Sequence, residues 1–361
     1  MSSILVLLLL LSLATVASRR GGFAALLAST LPAFVAGLVT GPRALAYLSS
    51  SMVTGLASAT ATGLCWLGLL LGWRASRGGL RPRSLGRGVA VVGVVAALVV
   101  VVQLVAEQLG VEGSTWRERI AIGLIAAAML LPFSASDDDG ATDSSRGLDV
   151  VVVVALLAAL GLLSGLPTVV VTVGVFAIAV LAGVSALLVG GHDPNRRFPA
   201  ILSAAALVTG LAWALDVHVG VVGVGVGIGL ALLDRPRQLD GMLDATRGPV
   251  ALVAACLVGA MVPLSGTAAV LGVIIGLVVL VVVLITSTDN DPATTLLDTA
   301  IQRAASSTTG LLLFGGLLLA NHGAFLSDDI TGAIGVALVV IDAAAVTAVL
   351  VKRGTARRRS P

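Results

Sequence analysis

The chain has 361 residues, of which 57% are hydrophobic and 11% charged, with a formal net charge of +3 and a mean hydropathy of +1.08. A soluble domain carries roughly 25% charged residues to coat its water-facing surface, so this composition excludes an ordinary water-soluble globule. The small positive charge comes from scattered arginines rather than a basic patch, and it gives no reason to expect a nucleic-acid partner.

Apolar runs of about 16 to 23 residues recur along the whole chain, long enough to cross hydrocarbon as helices. Backbone N–H and C=O groups in lipid must be paired within a helix or a closed barrel. Barrel strands alternate apolar and polar residues, whereas even the valine-rich runs here are uniformly apolar. The expected fold is all-α: a polytopic transmembrane helical bundle forming a single integral membrane domain over 1–361.

Thirteen candidate spans follow in chain order: 3–18, 22–40, 51–72, 88–109, 120–134, 150–166, 168–190, 199–216, 217–233, 249–264, 267–286, 310–326 and 329–351. The first has the length of a signal peptide. Its leading residues Met1-Ser2-Ser3 carry no positive charge, however, and Arg19-Arg20 follow the apolar run. An uncleaved anchor with its N-terminus outside fits better. Six hairpins then follow the leading helix.

Orientation follows from arginine placement, since cytoplasmic loops collect Lys and Arg. With the N-terminus outside, the cytoplasmic connectors hold Arg19, Arg20, Arg74, Arg77, Arg81, Arg83, Arg87, Arg146, Arg196, Arg197, Arg235, Arg237, Arg247, Arg303, Lys352, Arg353, Arg357, Arg358 and Arg359. Only Arg43, Arg117 and Arg119 remain outside. The C-terminus is then cytoplasmic, with a basic tail at 352–361. The longest connector, about 287–309, is too short for a folded soluble domain and is expected to carry a surface helix over 292–305.

The helices that begin at His218, Gly266 and Ile330 resemble one another in their Gly/Val/Ala pattern. A duplicated hairpin and the monotony of membrane sequence both account for this. Gly223, Gly225, Gly227 and Gly229 let backbones approach, and Thr54, Ser58 and Thr62 recur at every fourth residue. Such stripes mark helix–helix seams in lipid. Trp66, Trp73, Trp116 and Trp213 fall near span ends or one to two turns in, and the nearer ones suit interfacial anchoring. Cys65 and Cys256 sit within apolar runs and read as small buried hydrophobes.

Ionisable groups in hydrocarbon are costly, and each asks for an explanation. Asp342 lies near the centre of the last span, either as a relay for protons or cations or as a protonated seam residue. Gln103 and Glu107 are four residues apart on one helical face. Asn321 and His322 close the twelfth span on the same outer side, where Asp216 and His218 also flank a turn. A polar outer vestibule and simple interfacial hydration both fit these positions. No phosphate loop, HExxH, CxxC or GxSxG motif is present. The arginine-rich connector from Trp73 to Arg87 lacks the Gly-x-x-x-Asp-Arg core of the major-facilitator loop.

These features predict a non-enzymatic secondary transporter or permease in the plasma membrane. No cofactor, catalytic residue or metal is expected. Asp342, Glu107, Gln103, Asn321 and His322 are its candidate substrate or ion-relay residues. The alternative is a non-catalytic membrane subunit that scaffolds a larger assembly. The expected partners are the lipid bilayer and other membrane proteins.

Overall fold

The computed structural model describes residues 30–76, 166–191, 193–233, 239–286 and 328–359, with short helical pieces within 93–104, 119–124 and 314–319. Among the described residues every regular element is helical. Nine helices are complete enough to name: α1 (Thr30–Thr40), α2 (Ser50–Gly55), α3 (Ala57–Ala75), α4 (Leu166–Gly190), α5 (Pro194–Ala214), α6 (Val219–Leu233), α7 (Asp240–Met261), α8 (Gly266–Thr286) and α9 (Asp328–Arg359). Among the described residues three stretches are long and apolar enough to cross a membrane: Val169–Gly190, Arg196–Ala214 and Gly241–Met261.

The expected span at 51–72 is divided at Leu56, with Ser49 capping α2 through the N–H of Met52. α5 and α7 begin earlier than hydropathy alone suggests, and each carries a proline inside, Pro199 and Pro249. α9 continues past the apolar stretch, so residues 352–359 of the expected tail are helical. The expected span at 3–18, all but Leu166 of that at 150–166, and the surface helix at 292–305 lie outside the described residues.

The described helices divide into two compact units. The first holds α1 to α7 and the piece at 314–319; the second holds α8 and α9 with the pieces at 93–104 and 119–124. In the first unit α6 is buried on nearly every side, from Val219 through Gly229. A helix that is apolar all round belongs in an interior. Its glycines explain how it fits there. Gly223 and Gly227 lie against backbone atoms of Cys65, Leu69 and Trp73 on α3, while Gly225 and Gly229 meet Ala179 and Val180 on α4. Two residues are about 200° of helical turn, so two interleaved pairs at i and i+4 face opposite neighbours. At Gly225 an added Cβ would come 3.0 Å from the Cβ of Ala179.

The same contacts give direction. Gly68 faces Gly220 and Gly72 faces Val224, so one turn along α3 is one turn forward along α6. Phe176 faces Gly225 and Val180 faces Gly229, which makes α4 parallel to α6 as well. On α1, Gly37 meets Cys256 and Gly41 meets Ala260, again in parallel with α7. In the second unit Gly272 meets Ala333 and Val336, and Gly276 meets Ala337 and Val340, so α8 and α9 also run the same way. With no hydrophobic drive between helices in lipid, such close approach supplies the van der Waals contact that holds them together.

Away from that seam, α8 exposes Val270, Ile274, Leu277 and Val281 along one face. α4 likewise exposes Val170, Val173, Leu181 and Leu188. On these two helices large apolar side chains line the exposed face, while Gly272 and Gly276 of α8 and Ala179 and Gly183 of α4 face the neighbouring helix.

The hydroxyl stripe behaves otherwise. Thr54 and Ser58 are exposed, and the Thr54 and Thr62 hydroxyls donate to the carbonyls of Ser50 and Ser58 on the preceding turn. It is not a seam. A short hydroxyl side chain satisfies itself on its own helix when no neighbour comes close. Trp66 and Trp73 are also not surface anchors, being 4% and 2% exposed. The Trp66 indole donates to Thr246 on α7 at 2.8 Å and packs edge-on to Phe198 of α5.

Candidate functional site

Among the described residues each unit holds a polar junction at the start of a helix. In the first it lies between α5 and α6. Val217 N–H donates to the Ala212 carbonyl at 2.9 Å and Asp216 N–H to that of Trp213 at 3.4 Å. Between them Asp216 takes a left-handed conformation, φ 51. This is the Schellman closure of a helix, with aspartate at the position glycine usually takes. It reverses the chain within four residues and delivers His218 to the start of α6.

His218 is 1% exposed. Its Nδ1 accepts the N–H of Val221 at 3.2 Å, and its carbonyl receives the N–H groups of Val221 and Val222. The ring therefore caps α6, and an accepting Nδ1 places the neutral imidazole's proton on Nε2. Gly316 covers the ring. A Cβ at that position would stand 2.6 Å from Nε2 and 2.8 Å from Nδ1. Phe314, two residues earlier, is fully buried and tilted against Phe34 with ring centroids 6.4 Å apart. Gly315 lies against Leu64 and Val258.

In the second unit the junction joins the starts of α8 and α9. Ser265 caps α8, accepting the N–H of Ala268 at 3.0 Å. The hydroxyls of Ser265 and Thr267 both donate to Oδ1 of Asp329, the latter at 2.9 Å. Asp328 and Asp329 occupy the first turn of α9, where the helix dipole favours negative charge. Asp329 precedes the apolar stretch that starts at Ile330. The Ser265 hydroxyl, then that of Thr267, hold its carboxyl below the ordinary value of 3.8, with slight burial acting weakly against them.

Among the described residues the other buried polar side chains are Thr30, Thr60, Arg119, Thr172, Thr209 and Thr331. Thr60 donates to the Leu56 carbonyl at 3.0 Å and Thr209 to that of Ala205 at 2.7 Å, each one turn back along the chain. Cys65 and Cys256 are buried free thiols, as their apolar surroundings suggested. Among the described residues no group of His, Cys, Asp or Glu side chains is placed to hold a metal ion.

Of the residues singled out from the sequence, Asp342 lies within the helical backbone of α9, one residue after buried Ile341. Gln103, Glu107, Asn321 and His322 lie outside the described residues. Asp216 and His218 do share one turn, but the first is exposed and the second buried, so they form no open vestibule. The Ser265–Asp329 junction went unread in the sequence, although a Ser-Gly-Thr start before an apolar run is a recognisable cap. No protein-family model and no curated protein matches the chain.

Proposed function

We propose that this chain is a multi-pass integral membrane protein of the plasma membrane that acts as a secondary transporter. The agreement between helix direction and arginine placement supports the multi-pass part. α3, α4 and α6 fall in odd-numbered spans of the thirteen-span scheme, and they run parallel in the first unit; α8 and α9 do the same in the second. α1 and α7 fall in even-numbered spans and are likewise parallel. A scheme with one span too many or too few within these stretches would set some of these pairs antiparallel.

Asp342 carries the transport part. α9 is unbroken from Asp328 to Arg359, which puts Asp342 about 21 Å along the axis from Asp328 at 1.5 Å per residue. That is deep inside a hydrocarbon layer about 30 Å thick, where a carboxylate is by default a candidate for ion or substrate handling.

The test is flux. Purified protein in liposomes should exchange protons, sodium or a small solute, and Asp342→Asn should abolish the flux while leaving the helical content unchanged. Equal flux in both proteins would remove Asp342 from the mechanism.

One observation favours a second reading, that of a non-catalytic subunit. The buried hydroxyls of Thr60 and Thr209 are satisfied on carbonyls one turn back along the chain, which offers a solute little. Absence of flux for every solute, with stable co-purification of other membrane proteins, would select this reading.

A further inference from the structure

We propose that the first unit holds an inverted repeat, residues 30–71 answering to 216–262, whose two halves rock about the contact between Gly63 and Ala254. Backbone contacts carry the repeat. Gly37 and Gly41 of α1 lie against Cys256 and Ala260 of α7, and Gly223 and Gly227 of α6 lie against Cys65 and Leu69 of α3. In return Gly259 of α7 meets Phe34 of α1, and Gly68 of α3 meets Gly220 of α6. One constant register relates the two sets, with α1 answering to α6 and α3 to α7. In that register Gly37 falls on Gly223, Gly41 on Gly227, Gly68 on Gly259, and the chain's two cysteines, Cys65 and Cys256, on each other. Leu48 and Leu239, both buried, take equivalent places just before α2 and α7. The contact of Gly63 with Ala254 answers to itself, which puts a two-fold axis there. Here α3 and α7 are antiparallel, since Gly63 meets Val250 and Ala254 while Trp66, further along α3, meets Thr246. The axis is therefore perpendicular to the helices, as in the inverted repeats from which many secondary transporters are built.

The tight seams join α1 to α7 and α3 to α6, backbone against backbone. At the axis, between these two pairs, the touch is lighter. A Cβ on Gly63 would find only side-chain atoms, Ala254 at 3.7 Å and Val250 at 3.9 Å, which is ordinary van der Waals spacing. On one side of the axis the pairs are fastened: Trp66 donates to Thr246 at 2.8 Å, with Phe198 of α5 edge-on to the indole. On the other side the register puts Leu257 in place of Trp66 and Gly55 in place of Thr246. Leucine has no N–H to give, and the space where a Gly55 side chain would stand is open. The unit is thus fastened at the end where α7 begins and unfastened at the end where α2 and α3 begin. Rocking about the axis exchanges these ends. That this exchange moves a solute rests on the transport reading above; the rocking itself rests on the contacts.

Distances between spin labels on the full-length protein in lipid nanodiscs test the rocking, on a background carrying Cys65→Ala and Cys256→Ala. Labels at Ser76→Cys and Gly241→Cys span the fastened end, and labels at Ala44→Cys and Leu215→Cys span the other; all four positions are exposed. Thr246→Val removes the fastening and should raise a longer population at the first pair roughly tenfold. The second pair should gain a matching shorter population, because the two ends exchange. Trp66→Phe removes the donor instead of the acceptor and should give the same coupled shift, so either variant decides if the other does not fold. Lengthening at the first pair alone, or no change at either, overturns the proposal. Absent flux with the two distances still moving together would remove transport and keep the rocking; flux with unmoved distances would do the reverse.

Discussion

Gly223 and Gly225 are two residues apart on α6 and face different helices: the first lies against the carbonyl of Cys65, the second against the side chain of Ala179. A single helix thereby acts as the shared wall of two seams. The glycines matter for the room they leave, which makes their substitution costs unequal and predictable.

At Gly227 an added methyl would stand 2.5 Å from the backbone nitrogen of Trp73, an atom that cannot move without its helix. Gly227→Ala should cost about 1–3 kcal/mol through overpacking. Gly210, on α5, has open space where its Cβ would be. There Gly→Ala should gain up to about 1 kcal/mol from helix propensity. Unfolding titrations of both variants in one detergent would decide; shifts of the same sign and size would remove the steric account.

Trp66 and Thr246 are linked by one hydrogen bond of 2.8 Å between α3 and α7. Thr246→Val keeps the shape and removes the acceptor, so the indole N–H is left with its desolvation cost, about 1–2 kcal/mol. A double-mutant cycle with Trp66→Phe should recover a coupling of similar size. Additive effects of the two substitutions would mean the bond contributes nothing.

Asp216 tests the turn. Its left-handed φ of 51 is tolerable for aspartate, easy for glycine and poor for a β-branched residue. Asp216→Val should destabilise by about 1–2 kcal/mol, while Asp216→Gly should stay within about 0.5 kcal/mol of the wild type. Equal losses in both would show that the aspartate side chain, and not the backbone, holds this turn.

Asp329 gives a pH signature. Because hydroxyls of Ser265 and Thr267 depress its carboxyl below 3.8, the charged form is favoured in the folded state. Its contribution is therefore complete above the unfolded aspartate value and is lost as pH falls through the lower, folded one. Thermal unfolding of the wild type relative to Asp329→Asn should show an advantage at pH 6 that disappears in acid below about pH 3.8. A difference that stays constant across that range would contradict the assignment.

Much of this architecture was legible because its causes are local. Uniform apolar runs made helices, and the placement of α4, α8 and the glycine seam of α6 followed from composition and spacing. What escaped were features decided by a neighbour. The stripe of Thr54, Ser58 and Thr62 has the spacing of a seam, yet Thr54 and Ser58 are exposed and the Thr54 and Thr62 hydroxyls bond back to the preceding turn. The partner of the Trp66 indole, Thr246, is distant in the chain and has no mark in the local sequence. Helix ends were also misplaced where amphipathic turns extend an apolar core, as in the residues of α7 before Pro249. Within the candidate set, the position of Asp342 inside a long helix was readable from hydropathy. The partnership of Ser265 with Asp329 was not, because it depends on two helices starting side by side.

The burial of α6 between α3 and α4 also sets an order of assembly. Chains emerge from the ribosome N-terminus first, so α3 and α4 are both made before the helix that fills the slot between them. Until Leu233 has been synthesised, the glycine-matched surfaces on Cys65 and Ala179 have no partner. The first unit can reach its native packing only late, and a nascent chain stalled before that point would leave its innermost surfaces facing lipid.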